Sequence, residues 1–134
     1  MTIRCLIVDD SPRFARVASE ILEEEGIDVL GVAGGGEEAV RLAGDLHPDL
    51  ALVDIDLGGE TGLDVARRLC RGEGAENGEN GRLAGAVILI STHAEEQFAE
   101  LIAASPAVGF LAKSDLGADA IMALLSRTQQ PRAE

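Results

Sequence analysis

The chain has 134 residues, 46% of them hydrophobic, enough for one packed core and too little for a second domain of ordinary size. Asp and Glu number 24 against 11 Lys and Arg, a formal net charge of -13 that repels nucleic acid phosphates and suits a partner with a basic face. No apolar run approaches bilayer length and the N-terminus enters a strand pattern directly, so the expectation is a cytoplasmic protein without direct contact to membrane or nucleic acid.

An apolar run over residues 3–8 reads as a first strand and leads into Asp9 and Asp10. Ser11-Pro12, a hydroxyl cap followed by proline at the first helical position, opens a helix carrying Phe14, Val17, Ala18, Ile21 and Leu22 that Gly26 stops. Residues 27–33 form a second strand, Gly34, Gly35 and Gly36 a turn, and residues 37–46 a short helix ended before Pro48. The third strand, residues 50–53, delivers Asp54. A glycine-bearing loop over residues 56–62 follows, and Thr61-Gly62-Leu63-Asp64 has the form of a capping box for a helix through Leu63, Val65, Ala66, Leu69 and Cys70.

Residues 71–85 are glycine-rich and polar, the pattern of a surface insertion. A fourth strand over residues 86–90 runs into Ser91, and Thr92-His93-Ala94-Glu95 offers a second capping box, for a helix through Phe98, Leu101 and Ile102. Residues 108–112 form a fifth strand ending at Lys113. A last helix covers residues 118–126, and residues 129–134 form a polar tail. Cys5 and Cys70 lie within a strand and a helix without metal-type spacing, so both are expected to be reduced packing residues.

Five strands alternating with five helices imply an α/β fold, a parallel sheet wound on both faces. Asp9, Asp10, Asp54, Ser91 and Lys113 then emerge at one carboxyl edge, where open α/β sheets place their ligand sites. Three carboxylates, a hydroxyl and an ammonium are suited to binding a divalent cation and moving a phosphoryl group. Each residue alone has a plainer reading: the acidic pair as a helix-start cluster, Ser91 as a turn cap, Lys113 as a solvated charge, Phe110 as core.

On Asp9-Asp10, Asp54, Ser91 and Lys113, each at the end of its strand, and on Phe110 three residues before the lysine, the chain resembles the receiver domain of two-component response regulators over essentially its whole length. The resemblance implies a flavodoxin-like (βα)5 fold with strand order 2-1-3-4-5, a receiver unit over residues 1–128, a tail over 129–134, and the single-domain type of regulator. It implies that Asp54 accepts a phosphoryl group from a sensor histidine kinase or histidine phosphotransfer protein. Mg2+ would sit on Asp10 and Asp54 directly, on Asp9 through water and on the backbone carbonyl of Asp56, while Lys113 and Ser91 bind phosphoryl oxygens.

By the same resemblance, Ser91 and Phe110 switch the face formed by the fourth helix, fifth strand and fifth helix, which would meet a downstream protein target or a second copy. Kinase specificity would lie on the first helix around Arg13, Phe14, Val17 and Ala18. The domain would signal, catalysing only its own phosphorylation and dephosphorylation.

The chain departs from the family pattern in places. Ser114 follows the lysine where the family often has proline in a cis peptide, and Thr92 is larger than the usual residue after Ser91. Asp56 and His93 fall at positions that, in the family, influence how fast the phosphoryl group is lost. Two other readings stay open. Asp54-Ile55-Asp56-Leu57-Gly58 also resembles the nucleophile loop of haloacid dehalogenase-like phosphatases, and a receiver used only as a phosphorylation-independent interaction module would share the fold.

Overall fold

A computed structural model describes residues 2–71, 85–92 and 99–129. Its elements alternate in chain order: β1 (Arg4–Val8), α1 (Pro12–Glu24), β2 (Asp28–Ala33), α2 (Gly36–Leu46), β3 (Leu50–Asp54), α3 (Gly62–Arg71), β4 (Val87–Ser91), α4 (Ala99–Ala103), β5 (Gly109–Ala112) and α5 (Ala118–Gln129), with a 3-10 turn over Lys113–Asp115. All strand pairs are parallel, in the order β2-β1-β3-β4-β5. This is the flavodoxin-like order that the sequence implied. No described helix is long and apolar enough to cross a membrane.

Strand periodicity explains why the central strands are apolar throughout. Successive side chains point to opposite faces, and helices cover both. Leu6, Val8, Ala51, Val53, Val87 and Leu89 join one buried cluster with residues of α2, α3 and α4. Cys5, Ile7, Leu50, Leu52, Ile88 and Ile90 join the other with α1 and Ile121 of α5. Every residue of β3 and β4 is buried, while the edge strand β5 is half-buried along its length. Burying a single Leu or Ile side chain is worth about 1.5–3 kcal/mol.

Local signals set the helix ends. Ser11 caps α1 by accepting the Phe14 N–H at 3.3 Å, with Pro12 at the first helical position. Thr61 caps α3 by accepting the Asp64 N–H at 3.2 Å. α2 stops where His47 adopts a left-handed conformation, φ 53°, just before Pro48. Arg4 of β1 donates its guanidinium to the carbonyls of Leu46 at 2.7 Å and His47 at 2.9 Å, covering acceptors the helix leaves open.

Differences from the expected bounds are small and have reasons. β2 starts at Asp28 because Ile27 still donates to the Leu22 carbonyl, at 2.9 Å, as part of the turn leaving α1. β4 includes Ser91, which pairs with Ala112, so the hydroxyl sits on the strand itself. α5 continues through Gln129, since no glycine or proline intervenes before Pro131, and the expected start of the tail falls on its last helical residue. The insertion over residues 72–84, the cap at His93, and the tail from residue 130 lie outside the described residues. Neither cysteine is in a disulfide. Cys5 is fully buried, which pushes its thiol up to about 12, and Cys70 is half-buried against the core.

Candidate functional site

Asp9 follows β1 directly and is 2% exposed. Its main-chain N–H continues the sheet by donating to the Ala33 carbonyl at 2.9 Å, and its Oδ1 accepts the Ser11 N–H at 2.8 Å. The residue is thereby locked by the strand behind it and the helix cap ahead of it. Asp10, next along, is exposed. Asp54 ends β3, buried, with Oδ1 accepting the Asp56 N–H at 3.0 Å. One carboxylate oxygen from each of Asp9, Asp10 and Asp54 falls within 4.8 Å of the others.

Lys113, just past β5, brings its ammonium into this group, 2.7 Å from Asp9 Oδ2 and 3.0 Å from Asp54 Oδ2. Its Nζ also lies 4.3 Å from the centre of the Phe14 ring, whose face supports the cation. Asp9 Oδ2 has no aligned hydrogen bond despite the short contact, so the Asp9–Lys113 attraction is ionic rather than directed. Ser91 is 1% exposed and sits one residue beyond Ile90, the register partner of Asp54 on β4. The sheet therefore brings Asp9, Asp10, Asp54, Ser91 and Lys113 to one edge.

Burial pushes the Asp54 carboxyl above the ordinary carboxylate range, against the opposing effect of Lys113 and the Asp56 amide, and with help from the Asp9 charge. Burial acting alone would lower Lys113, but its contacts with Asp9 and Asp54 outweigh it and hold the ammonium above its ordinary value of 10.5. The same contacts thus favour the charged lysine and fail to rescue the charged aspartate. The asymmetry has a simple cause: one ammonium is shared by two buried carboxylates. Fully ionised, the three carboxylates outnumber the ammonium, and the donors are all hard oxygens. That set, with an acceptor at Asp9 left without an aligned donor, fits a small divalent cation.

Tight backbone packing defines the near wall. Gly58, at φ 77°, approaches so closely that a Cβ would lie 3.3 Å from Asp10 Oδ2. Gly62 packs against the Asp54 carbonyl, where a Cβ has no room. The Asp56 carboxylate is not part of the acidic cluster; it turns to the Gly58 N–H at 3.3 Å. No peptide bond among the described residues is cis, so Lys113–Ser114 is trans. Thr92 is exposed, and Phe110 is half-buried against the cluster under α2, α3 and α4.

One surface expectation needs correcting. Ala18, placed on the first-helix partner face, is fully buried with Ala15 and Leu22, while Val17 and Ile21 are exposed. Two apolar stripes share α1, and the one with the small alanines turns inward because it lets the helix lie close to the sheet. Among the described residues, Asp115 and Asp119, the acidic residues that follow Lys113, are not in the acidic cluster.

Comparison with known proteins agrees with this architecture. Residues 5–125 match the family described as the response regulator receiver domain. The chain is a response regulator receiver domain. Among curated relatives, this receiver is 36% identical over 134 residues to the positive alginate biosynthesis regulatory protein of Pseudomonas aeruginosa, covering 96% of this chain and 48% of that protein. It is 42% identical over 69 residues to the DNA-binding response regulator MtrA of Mycolicibacterium smegmatis, covering 52% of this chain and 30% of that one. Its matches span half or less of the length of these relatives. The receiver domain of the response regulator NarL from Mycobacterium tuberculosis superposes with a TM-score of 0.75 at 26% identity, covering 97% of this chain and 98% of that one. A Burkholderia pseudomallei response regulator, solved with a phosphorylated aspartic acid, calcium ion and citrate, superposes with a TM-score of 0.73 at 26% identity, covering 95% and 71%.

Proposed function

We propose that this receiver accepts a phosphoryl group on Asp54 from a phosphohistidine of a sensor histidine kinase or histidine phosphotransfer protein. The observation that carries the reading is the Lys113 ammonium held between Asp54 and Asp9 beside Asp10, at the end of the buried central strands. In the transfer, an Asp54 carboxylate oxygen forms a bond to phosphorus as the N–P bond of the donor breaks, and the electron pair leaves with the imidazole nitrogen. Such transfers depend on alignment and charge neutralisation more than on covalent assistance.

Each residue has a part. Asp54 is prealigned by the Asp56 N–H, and its burial keeps bulk water from the carboxylate. Lys113 releases Asp54 Oδ2 and pairs with a phosphoryl oxygen, remaining near Asp9. Ser91 donates its hydroxyl to a second phosphoryl oxygen. Mg2+, held by Asp10, Asp54, Asp9 through water and the Asp56 carbonyl, would supply the positive charge that the cluster lacks. Ser91 moving toward the phosphoryl group makes room for Phe110 to turn inward, repacking the face of α4, β5 and α5 for a downstream protein or a second copy.

The receiver unit is assigned to residues 1–128 with a polar tail at 129–134, acting in the cytoplasm without direct nucleic acid contact. Kinase docking is assigned to the exposed side of α1, around Arg13 and Val17, with Phe14 at its margin. Intact-mass analysis after incubation with acetyl phosphate tests the reading. A single phosphoryl adduct that requires Mg2+ and is lost in folded Asp54→Asn is the expected result. Magnesium-dependent labelling of that variant at another site would sink the assignment; absence of any adduct on folded, magnesium-bound wild type with a phosphohistidine donor would leave an interaction module instead.

A further inference from the structure

Glu60 reaches from the loop between β3 and α3 to the start of α2, where its Oε2 accepts the Gly36 N–H at 2.9 Å from 24 positions away. The helix supplies no such cap itself, because its N-cap residue is Gly35. The fit is close: a Cβ on Gly36 would lie 2.5 Å from Glu60 Oε1, 3.0 Å from Val65 Cγ2 and 3.1 Å from Arg68 Nη1. A carboxylate at a helix N-terminus satisfies an open amide and faces the positive end of the dipole.

The same residue closes its own loop. The Leu57 N–H donates to the Glu60 carbonyl at 3.2 Å, Asp56 and Thr61 pair as an antiparallel bridge, and the Gly62 N–H donates to the Ile55 carbonyl at 2.7 Å. The other end of this loop forms the wall of the acidic pocket. There the Asp56 N–H donates to Asp54 Oδ1 at 3.0 Å, and Gly58 abuts Asp10. The loop is thus held at two points, and one of them is the phosphoacceptor itself.

We propose that Glu60 is a positioning residue: by docking on the N-terminus of α2 it fixes the backbone of Asp56 against Asp54 and thereby sets the pocket's affinity for its cation. The inference rests on the phosphoacceptor reading. Its test compares wild type, Glu60→Ala and Glu60→Gln by amide hydrogen exchange of Asp56 and Leu57 and by calorimetric titration with Mg2+ alone. In Glu60→Ala both loop amides exchange faster while those of β3 keep their protection, and Mg2+ affinity falls by about tenfold, the low end of what outer-shell partners contribute. Glu60→Gln stays near wild type, because its amide oxygen still accepts the Gly36 N–H.

Unchanged Mg2+ affinity in Glu60→Ala, with or without faster loop exchange, overturns the proposal by reducing Glu60 to a structural cap. Glu60→Gln as impaired as Glu60→Ala overturns it as well, since the hydrogen bond would then not be the pin. Failure of the unmutated protein to bind Mg2+ removes the phosphoacceptor reading and the inference together. That outcome is distinguishable because it needs no substitution.

Discussion

Replacing Lys113 with methionine tests the charge balance of the pocket directly. The Asp9 side chain is 0% exposed and that of Asp54 8%, so removing the ammonium leaves two buried carboxylates with little solvent to screen them. Breaking a buried pair by deleting one partner costs about 3–5 kcal/mol. An independent ceiling is similar: the fold relieves the strain by protonating a carboxyl of ordinary value 3.8, which at pH 7 costs about 4 kcal/mol. For a chain of this length the loss amounts to a fall in Tm of roughly 10–18 °C, read by circular dichroism in chelator.

Two further readouts separate electrostatics from packing. Mg2+ no longer competes with an ammonium in Lys113→Met, so saturating magnesium raises its Tm more than that of wild type. The pH dependence has a definite sign. Asp54 already titrates above its unfolded value, and losing Lys113 raises it further, so the folded state binds more protons than the unfolded one between the two values. The stability deficit of Lys113→Met therefore shrinks as pH falls from 7 towards 4. A variant with wild-type Tm in chelator, or a deficit that stays constant with pH, would refute the argument.

Asp54→Asn is expected to unfold at a higher temperature than wild type at pH 7, because it removes a carboxylate whose burial disfavours ionisation; the gain disappears below the Asp54 titration, as thermal melts across pH will show. Gly62→Ala pushes a methyl group onto the Asp54 carbonyl, and we expect a loss of about 1–3 kcal/mol in denaturant unfolding together with loss of phosphoryl acceptance. Stability and acceptance both at wild-type levels would show that the loop has room to yield. Cys5, buried with its thiol pushed up to about 12, should react with a thiol reagent in native protein only as fast as the core opens, while Cys70 reacts sooner; equal rates for the two would contradict the burial.

The site was legible because four of the five strands are apolar runs that end abruptly in a residue carrying chemistry; β2 instead runs into the turn at Gly34. A parallel sheet converts that repeated ending into a shared edge, so Asp9, Asp54, Ser91 and Lys113 needed no knowledge of contacts to be grouped. Contacts between elements distant in sequence left no comparable mark. Glu60 and Gly36, Arg4 and the end of α2, and Glu25, which accepts the Ala118 N–H at 2.5 Å across 93 positions, are long-range caps whose residues look like ordinary surface charges in the sequence. On α1, the resemblance placed Ala18 with Arg13, Phe14 and Val17 on the partner-facing side, whereas the structure turns it inward beside Ala15 and Leu22. The Phe14 ring beneath Lys113 was likewise hidden, since it joins residues 14 and 113 through the closed fold.

The members of the pocket are unequally anchored. Asp54 stands on a strand flanked on both sides and buried at every position, whereas Lys113 hangs from a four-residue edge strand with a neighbour on one side only. Edges open before centres, so a local opening of the β5 edge withdraws the positive charge and leaves the carboxylates in place. The lysine is also contributed by the last strand of the sheet. A chain emerging from the ribosome therefore holds its acidic residues near one another before their counter-charge exists, and neutralisation of the pocket is deferred until β5 has docked.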